Sequence, residues 1–305
     1  MDKKIAFVFS GQGAQYPGMG KELYESSPAA KNVWNAIEQI NPDIKKICFE
    51  STAEDLSLTR NSQPCLFGVG LAAAYALVEN GIKPCACAGF SLGEIAAITF
   101  CEMLSLKEGT KLVAERAEFM QECTENHIGS MAAILGTDIQ TAEDLCQKAG
   151  VFPVNYNCPG QITAAGDLDK IDNLVSLASK SGVRAIRLAV SGAFHCNHMS
   201  LASQKMKEYL KDITFNNPKI NIYSNYLGTK YTRPYDELIY KQIDNSVKWQ
   251  TIIENMLKDG INVFIETGAG KTLHNFIKKI DKSAEVYYVE NQNTLKAVTD
   301  ALYGR

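Results

Sequence analysis

Five consecutive residues, Gly89-Phe90-Ser91-Leu92-Gly93, constrain this chain more than any other feature. A short run of small apolar residues, Cys85 to Gly89, leads into them, and a helical pattern starts at Leu92. The two glycines let the backbone turn sharply, so the serine hydroxyl stands exposed between a strand and a helix N-terminus. There the backbone N–H groups and the helix dipole favour a developing oxyanion. Ser91 is therefore a candidate nucleophile. The same pentapeptide also arises by chance in buried turns; the strand before it and the helix after it favour the chemical reading. A strand–turn–helix of this kind needs a covered sheet, which predicts an α/β fold.

The rest of the chain fits that frame. Ile5 to Ser10 reads as a buried strand followed by a glycine-rich turn through Gly20. Pro64 to Glu79 reads as a helix with proline at its start and Asn80-Gly81 as its stop. Leu92 onward and Lys107 to Glu122 also read as helices. Strands alternating with helices predict a parallel sheet covered on both faces. The middle of the chain has another rhythm. Strands are expected at Met131–Leu135, Val151–Tyr156, Gln161–Ala165 and Arg184–Leu188, and helices at Asp138–Ala149 and Leu168–Ser181. That βαββαβ order is ferredoxin-like and predicts an inserted α+β subdomain of about 65 residues. The expected division is a large α/β unit, residues 1–127 and 192–305, and a small unit, residues 128–191. The large sheet then resumes with Ile261–Thr267 and Glu285–Val289.

Bulk properties remove several functions. A net charge of −3 over 305 residues argues against a dedicated nucleic-acid binder, which needs a basic face. The apolar region Cys85–Leu106 is interrupted by Ser91, Glu94 and Glu102, so it reads as a buried strand and helix, not a membrane span. Nine cysteines are scattered without a C-x-x-C pair, which predicts small buried thiols in a reducing, cytoplasmic setting. Met1-Asp2-Lys3-Lys4 runs straight into the first strand, and no secretory signal is expected before the fold.

A nucleophilic serine needs a base. The chain has four histidines: His127, His195, His198 and His274. Spacing alone does not choose between His195 and His198. With Cys196 between them they could also hold a metal, but no further ligand follows at suitable spacing, so no metal is expected. Two glycine-rich segments are set aside. Gly11-Gln12-Gly13-Ala14-Gln15-Tyr16 lacks the third glycine of the dinucleotide fingerprint. Gly268-Ala269-Gly270-Lys271-Thr272 ends like a phosphate loop but has Ile265 where that loop needs glycine. Arg116, flanked by Glu115 and Glu118, reads on its own as a solvated helix position; the other reading is a bidentate clamp on a carboxylate.

Taken in order, the blocks resemble the malonyl-CoA:acyl carrier protein transacylase family along essentially the whole chain. They are Phe9-Ser10-Gly11-Gln12-Gly13-Ala14-Gln15, Gly89-Phe90-Ser91-Leu92-Gly93-Glu94, Arg116 with Met120-Gln121, Asn155-Tyr156-Asn157-Cys158-Pro159-Gly160-Gln161, Gly192-Ala193-Phe194-His195, Val247-Lys248-Trp249 and Glu266-Thr267-Gly268-Ala269-Gly270-Lys271. The resemblance implies a hydrolase-like α/β domain with a ferredoxin-like insert. It implies Ser91 as nucleophile, His195 as base, and the N–H groups of Gln12 and Leu92 as the oxyanion hole. Arg116 would hold the malonyl carboxylate, and the carbonyl of Lys248 would orient the histidine in place of an acid. Asn157 would belong to the surround of the site. Malonyl-CoA would be the substrate, the acyl carrier protein with its phosphopantetheine the partner, with no bound cofactor and a monomeric chain. Two positions depart from the family pattern. Phe90 stands where histidine is common, which implies an altered pocket edge, and Ala269 stands where proline is common. Phe194 resembles the malonyl-type pattern, because a bulky ring leaves little room for an α-methyl branch.

Three other readings stay open at this point. An esterase would need an acid between Ser91 and His195, and Asp138, Asp144, Asp167, Asp169 and Asp172 all qualify by position. A discrete acyltransferase of polyketide synthesis would look alike. A non-catalytic carrier-binding protein could share the fold.

Overall fold

The computed structural model describes residues 3–190 and 192–304. The expected subdomain boundary at Ser191, the first two residues and Arg305 lie outside the described residues. Among the described residues, nine strands form two sheets. β1 (Ile5–Phe9), β2 (Ala86–Gly89), β7 (Asn221–Tyr223), β8 (Val263–Thr267) and β9 (Glu285–Val289) make a parallel sheet in the order β7-β2-β1-β8-β9. β3 (Gly129–Leu135), β4 (Phe152–Cys158), β5 (Gln161–Asp167) and β6 (Arg184–Arg187) make an antiparallel sheet in the order β4-β5-β3-β6. The protein is thus mixed α/β, a parallel sheet beside a separate antiparallel unit with the ferredoxin-like strand order.

The parallel sheet is buried on both faces, as its continuous apolar strands require. Phe7 and Phe9 of β1 point into one core with the long helix Thr59–Glu79; Ala6 and Val8 point into the other, with Trp249 and Ile252 of the helix Trp249–Lys258. The small sheet has its own core, formed with the helices Ile139–Ala149 and Leu168–Lys180. Edge strand β4 is also tied to the large unit. Tyr156 N–H donates to the Val247 carbonyl at 3.0 Å, and Val247 N–H donates to the Val154 carbonyl at 2.8 Å. The Val247-Lys248-Trp249 block is therefore a seam between the sheets.

Among the differences from expectation, one helix is longer and one strand is added. The helix ending at Glu79 begins at Thr59, not at Pro64. Pro64 therefore lies inside the helix, past its first turn, and does not mark the start; Leu58 is the N-cap, and the Thr59 N–H is held by Gln121 Oε1 at 2.9 Å. β7 went unread because three residues carry no periodicity. All nine cysteines are free and all but Cys85 are buried, as small core thiols should be. Among the described residues, no helix is long and apolar enough to cross a membrane.

Candidate active site

The pentapeptide turns where β2 ends. Ser91 has φ 53°, the left-handed region that a non-glycine residue enters only when its surroundings hold it there. The glycines are needed for close approach. A Cβ on Gly93 would sit 2.2 Å from the Phe9 carbonyl oxygen, and one on Gly89 would sit 2.0 Å from the backbone of Gly93. Strand end and helix start are thus pressed together with no room for a methyl group. The helix Gly93–Phe100 follows, and the buried Leu92 is its N-cap. No acceptor within the described residues takes the N–H of Leu92 or of Gln12. The Gln12 side chain donates to Ser62 Oγ at 2.9 Å.

His195 reaches the serine from a segment 104 residues away, with Nε2 2.7 Å from Ser91 Oγ. Its own φ is 61°, so the serine and the imidazole both sit on strained backbone. Nδ1 lies 2.8 Å from the Gln242 carbonyl, which accepts its hydrogen and leaves the Nε2 lone pair facing the hydroxyl. Burial, then the nearby charge of Arg116, pushes the imidazole down to about 4. It is therefore uncharged at neutral pH.

The expected orienting carbonyl, Lys248, does not fill that role. It accepts the Ile252 N–H at 3.0 Å and so opens the helix Trp249–Lys258. Gln242 lies in the last turn of the helix Tyr235–Asp244, where carbonyls have no partner within the helix. An orphan carbonyl at a helix end is free to hold an imidazole; a carbonyl at a helix start is not. None of the five aspartates considered for an esterase takes the place either. Asp138 caps the helix Ile139–Ala149, Asp144 accepts from Gln140, Asp167 pairs with Lys170 and Asp172 with Arg187, and no contact links Asp169 to His195.

Arg116 is fully buried, not solvated. Nη1 donates to Gln63 Oε1 at 2.5 Å, and Nη2 to Gln242 Oε1 at 2.7 Å and Ser91 Oγ at 3.3 Å. Its Nε–H, on the same side of the guanidinium as Nη2, has no partner. An unmet buried donor beside the serine hydroxyl suits a carboxylate. Burial lowers the guanidinium to about 10, so it stays charged at neutral pH.

Beneath the turn lies a polar network. Gln242 Nε2 donates to the Ser91 carbonyl at 2.6 Å and to Glu94 Oε2 at 2.9 Å. Asn225 accepts the Ser91 N–H at 2.7 Å through Oδ1 and donates to the Gly89 carbonyl at 2.6 Å. Tyr231 hydroxyl also donates to Glu94. Burial pushes Glu94 up to about 7, against these donors and the charge of Arg116. Gln242 is thus bonded to the histidine, the arginine and the backbone of the serine at once.

A cavity of about 80 Å³ opens onto the serine, lined by Phe194, His195, Met131, Val190 and others. A second, of about 220 Å³, shares Gln12, Phe90, Asn155 and Leu188 with it. Phe90 is part of their shared lining, with its ring 5.6 Å from that of Trp249. Asn157 lines only the second cavity and donates to Thr163 Oγ1 at 3.0 Å. Four buried polar atoms without a protein partner belong to residues lining that cavity: Ser10 Oγ, Asn155 Oδ1, Asn157 Oδ1 and Glu266 Oε1.

Ser91, His195, Arg116, Gln12, Leu92, Phe194 and Phe90 are thus brought to one place, Asn157 to its margin, and Lys248 to the seam. Gln242, Asn225, Gln63 and Tyr231 were not read from sequence. None belongs to a motif that announces a role, and Gln242 acts partly through its main chain. Glu94 and Asn155 lay in quoted blocks without a role of their own.

A strained serine on a strand–helix turn, a neutral histidine held by a carbonyl and an adjoining buried guanidinium fit a serine acyl-transfer site. Comparison with known proteins agrees. The acyl transferase domain family matches residues 6–297. A malonyl CoA-acyl carrier protein transacylase of Bacillus subtilis (strain 168) is 36% identical, the match covering 98% of this chain and 97% of that protein. The crystal structure of the same-named enzyme from Clostridium perfringens superposes with a TM-score of 0.94 at 33% identity, over 99% of this chain and 98% of the other. A malonyl-transacylase crystallised with its type II PKS acyl-carrier protein superposes with a TM-score of 0.93 at 27% identity, over 98% and 100%. The chain belongs to the malonyl-CoA:acyl carrier protein transacylase family.

Proposed function

We propose that this acyltransferase moves a malonyl group from coenzyme A to the phosphopantetheine thiol of an acyl carrier protein, supplying extender units for fatty-acid synthesis. The observation that carries the reading is Ser91 Oγ held between His195 Nε2 at 2.7 Å and Arg116 Nη2 at 3.3 Å. Ser91 attacks the thioester carbonyl while His195 takes its proton. The oxyanion is met by the N–H groups of Gln12 and Leu92, each worth roughly 10²–10³-fold in rate. The C–S bond breaks, His195 returns the proton to the leaving thiolate, and coenzyme A departs as a thiol. The carrier's thiol then attacks the malonyl-serine ester by the same steps in reverse. Arg116 exchanges its serine contact for the malonyl carboxylate, engaging it through Nε and Nη2. The second cavity takes the pantetheine arm, whose two amide N–H groups find acceptors among its unpartnered oxygens.

Two-substrate initial-velocity kinetics test the scheme. Parallel double-reciprocal lines are expected, and intersecting lines would exclude a free malonyl-enzyme. The relative crystallised with a type II PKS carrier favours one further reading, supply of polyketide synthesis. Comparing kcat/KM on fatty-acid and polyketide carriers decides between the two.

A further inference from the structure

We propose that His127, Asp167 and His198 form a site for a divalent transition metal, with Zn²⁺ the best match. The three residues come from separate segments. His127 follows the helix Leu106–Asn126, Asp167 ends β5, and His198 lies in the short turn Asn197–Met199, three residues beyond His195. Asp167 Oδ1 is 2.8 Å from His127 Nε2 and 3.3 Å from His198 Nε2, and one donor atom from each residue lies within 4.8 Å of the others. Tetrahedral zinc with bonds of about 2.0–2.1 Å spaces its ligand atoms roughly 3.3 Å apart, so little movement closes the site. Two imidazole nitrogens and one carboxylate oxygen are a zinc donor set, and water would complete it.

Two further features point the same way. Lys170 holds the other oxygen of Asp167 at 2.6 Å, which fixes the carboxylate with Oδ1 toward the histidines. The histidine rings meet edge-on with centroids 4.3 Å apart, both presenting Nε2 to Asp167 Oδ1. A bound ion would tie together the helix that carries Arg116, the small sheet and the segment that carries His195. This inference does not depend on the acyl group transferred.

The test is titration of metal-free full-length protein with Zn²⁺ by calorimetry, and with Co²⁺ by visible absorption, in a Cys85→Ser background that removes the one exposed thiol. One equivalent should bind, with cobalt d–d bands and no thiolate charge-transfer band, and thermal unfolding should shift upward with added Zn²⁺. His127→Ala and Asp167→Asn should each weaken binding by roughly tenfold or more and abolish the shift, since even outer-shell losses cost roughly 10–100-fold. His127 is exposed, so its variant should fold normally. His274→Ala should change nothing. Absence of a bound equivalent, unaltered binding in His127→Ala, or a thiolate band would overturn the proposal.

Discussion

Replacing Arg116 by alanine separates recognition of the acyl group from the chemistry of transfer. The guanidinium is fully buried, remains charged at neutral pH, and has one unmet N–H beside Ser91. With malonyl bound, the variant leaves a carboxylate in a water-poor site without a counter-charge. Breaking one side of a buried pair costs about 3–5 kcal/mol, or roughly two to four decades in kcat/KM. An acetyl group has no carboxylate, so its transfer should hold or rise. The fold bears its own cost: Gln63 Oε1 and Gln242 Oε1 each lose a donor, at about 1–3 kcal/mol apiece. The assay is kcat/KM for malonyl-CoA and acetyl-CoA, with thermal unfolding measured in parallel. Arg116→Lys keeps the charge but loses the fork, and should fall between wild type and alanine for malonyl only. Equal losses for both thioesters in a folded variant would refute the clamp.

Other changes follow from the same geometry. Because the base acts when neutral and its pKa is lowered to about 4, the rate of enzyme acylation should stay level from pH 8 to about 5 and halve near 4; a midpoint near the ordinary histidine value of about 6.5 would contradict the burial argument. Gln242→Ala keeps the carbonyl that holds His195 but loses the bonds to Arg116, Glu94 and the Ser91 carbonyl, so kcat should fall and selectivity for malonyl over acetyl should narrow, whereas Lys248→Ala should leave both unchanged; steady-state kinetics on the two variants check this. Gly93→Ala should destabilise by about 1–3 kcal/mol or more, because its methyl meets the backbone of β1, and loss of thermal stability together with acylation is the expected reading.

The parts of this protein that follow a period or a fixed turn were legible in sequence. Both sheets were anticipated, along with the βαββαβ order of the smaller one, because buried strands and amphipathic helices carry their pattern locally. The serine turn was legible because only glycine fits at 89 and 93. Arg116 shows the limit: its neighbours Glu115 and Glu118 suggest a wet helix face, and only the packing of the helix Leu106–Asn126 against Gln63 and Gln242 shows it dry. The orienting carbonyl was misplaced by six residues for a related reason. Any residue has a carbonyl, and which one lacks a partner depends on where the helix Tyr235–Asp244 ends. Asn225 was invisible since it meets Ser91 across 134 positions of chain.

Intact-protein mass spectrometry after brief mixing with malonyl-CoA, without carrier protein, tests the central claim most directly. A single malonyl-sized adduct is expected on Ser91, absent in Ser91→Ala and weak with acetyl-CoA or methylmalonyl-CoA. No adduct on Ser91, or equal adducts with all three thioesters, would contradict a malonyl-serine intermediate selected by Arg116.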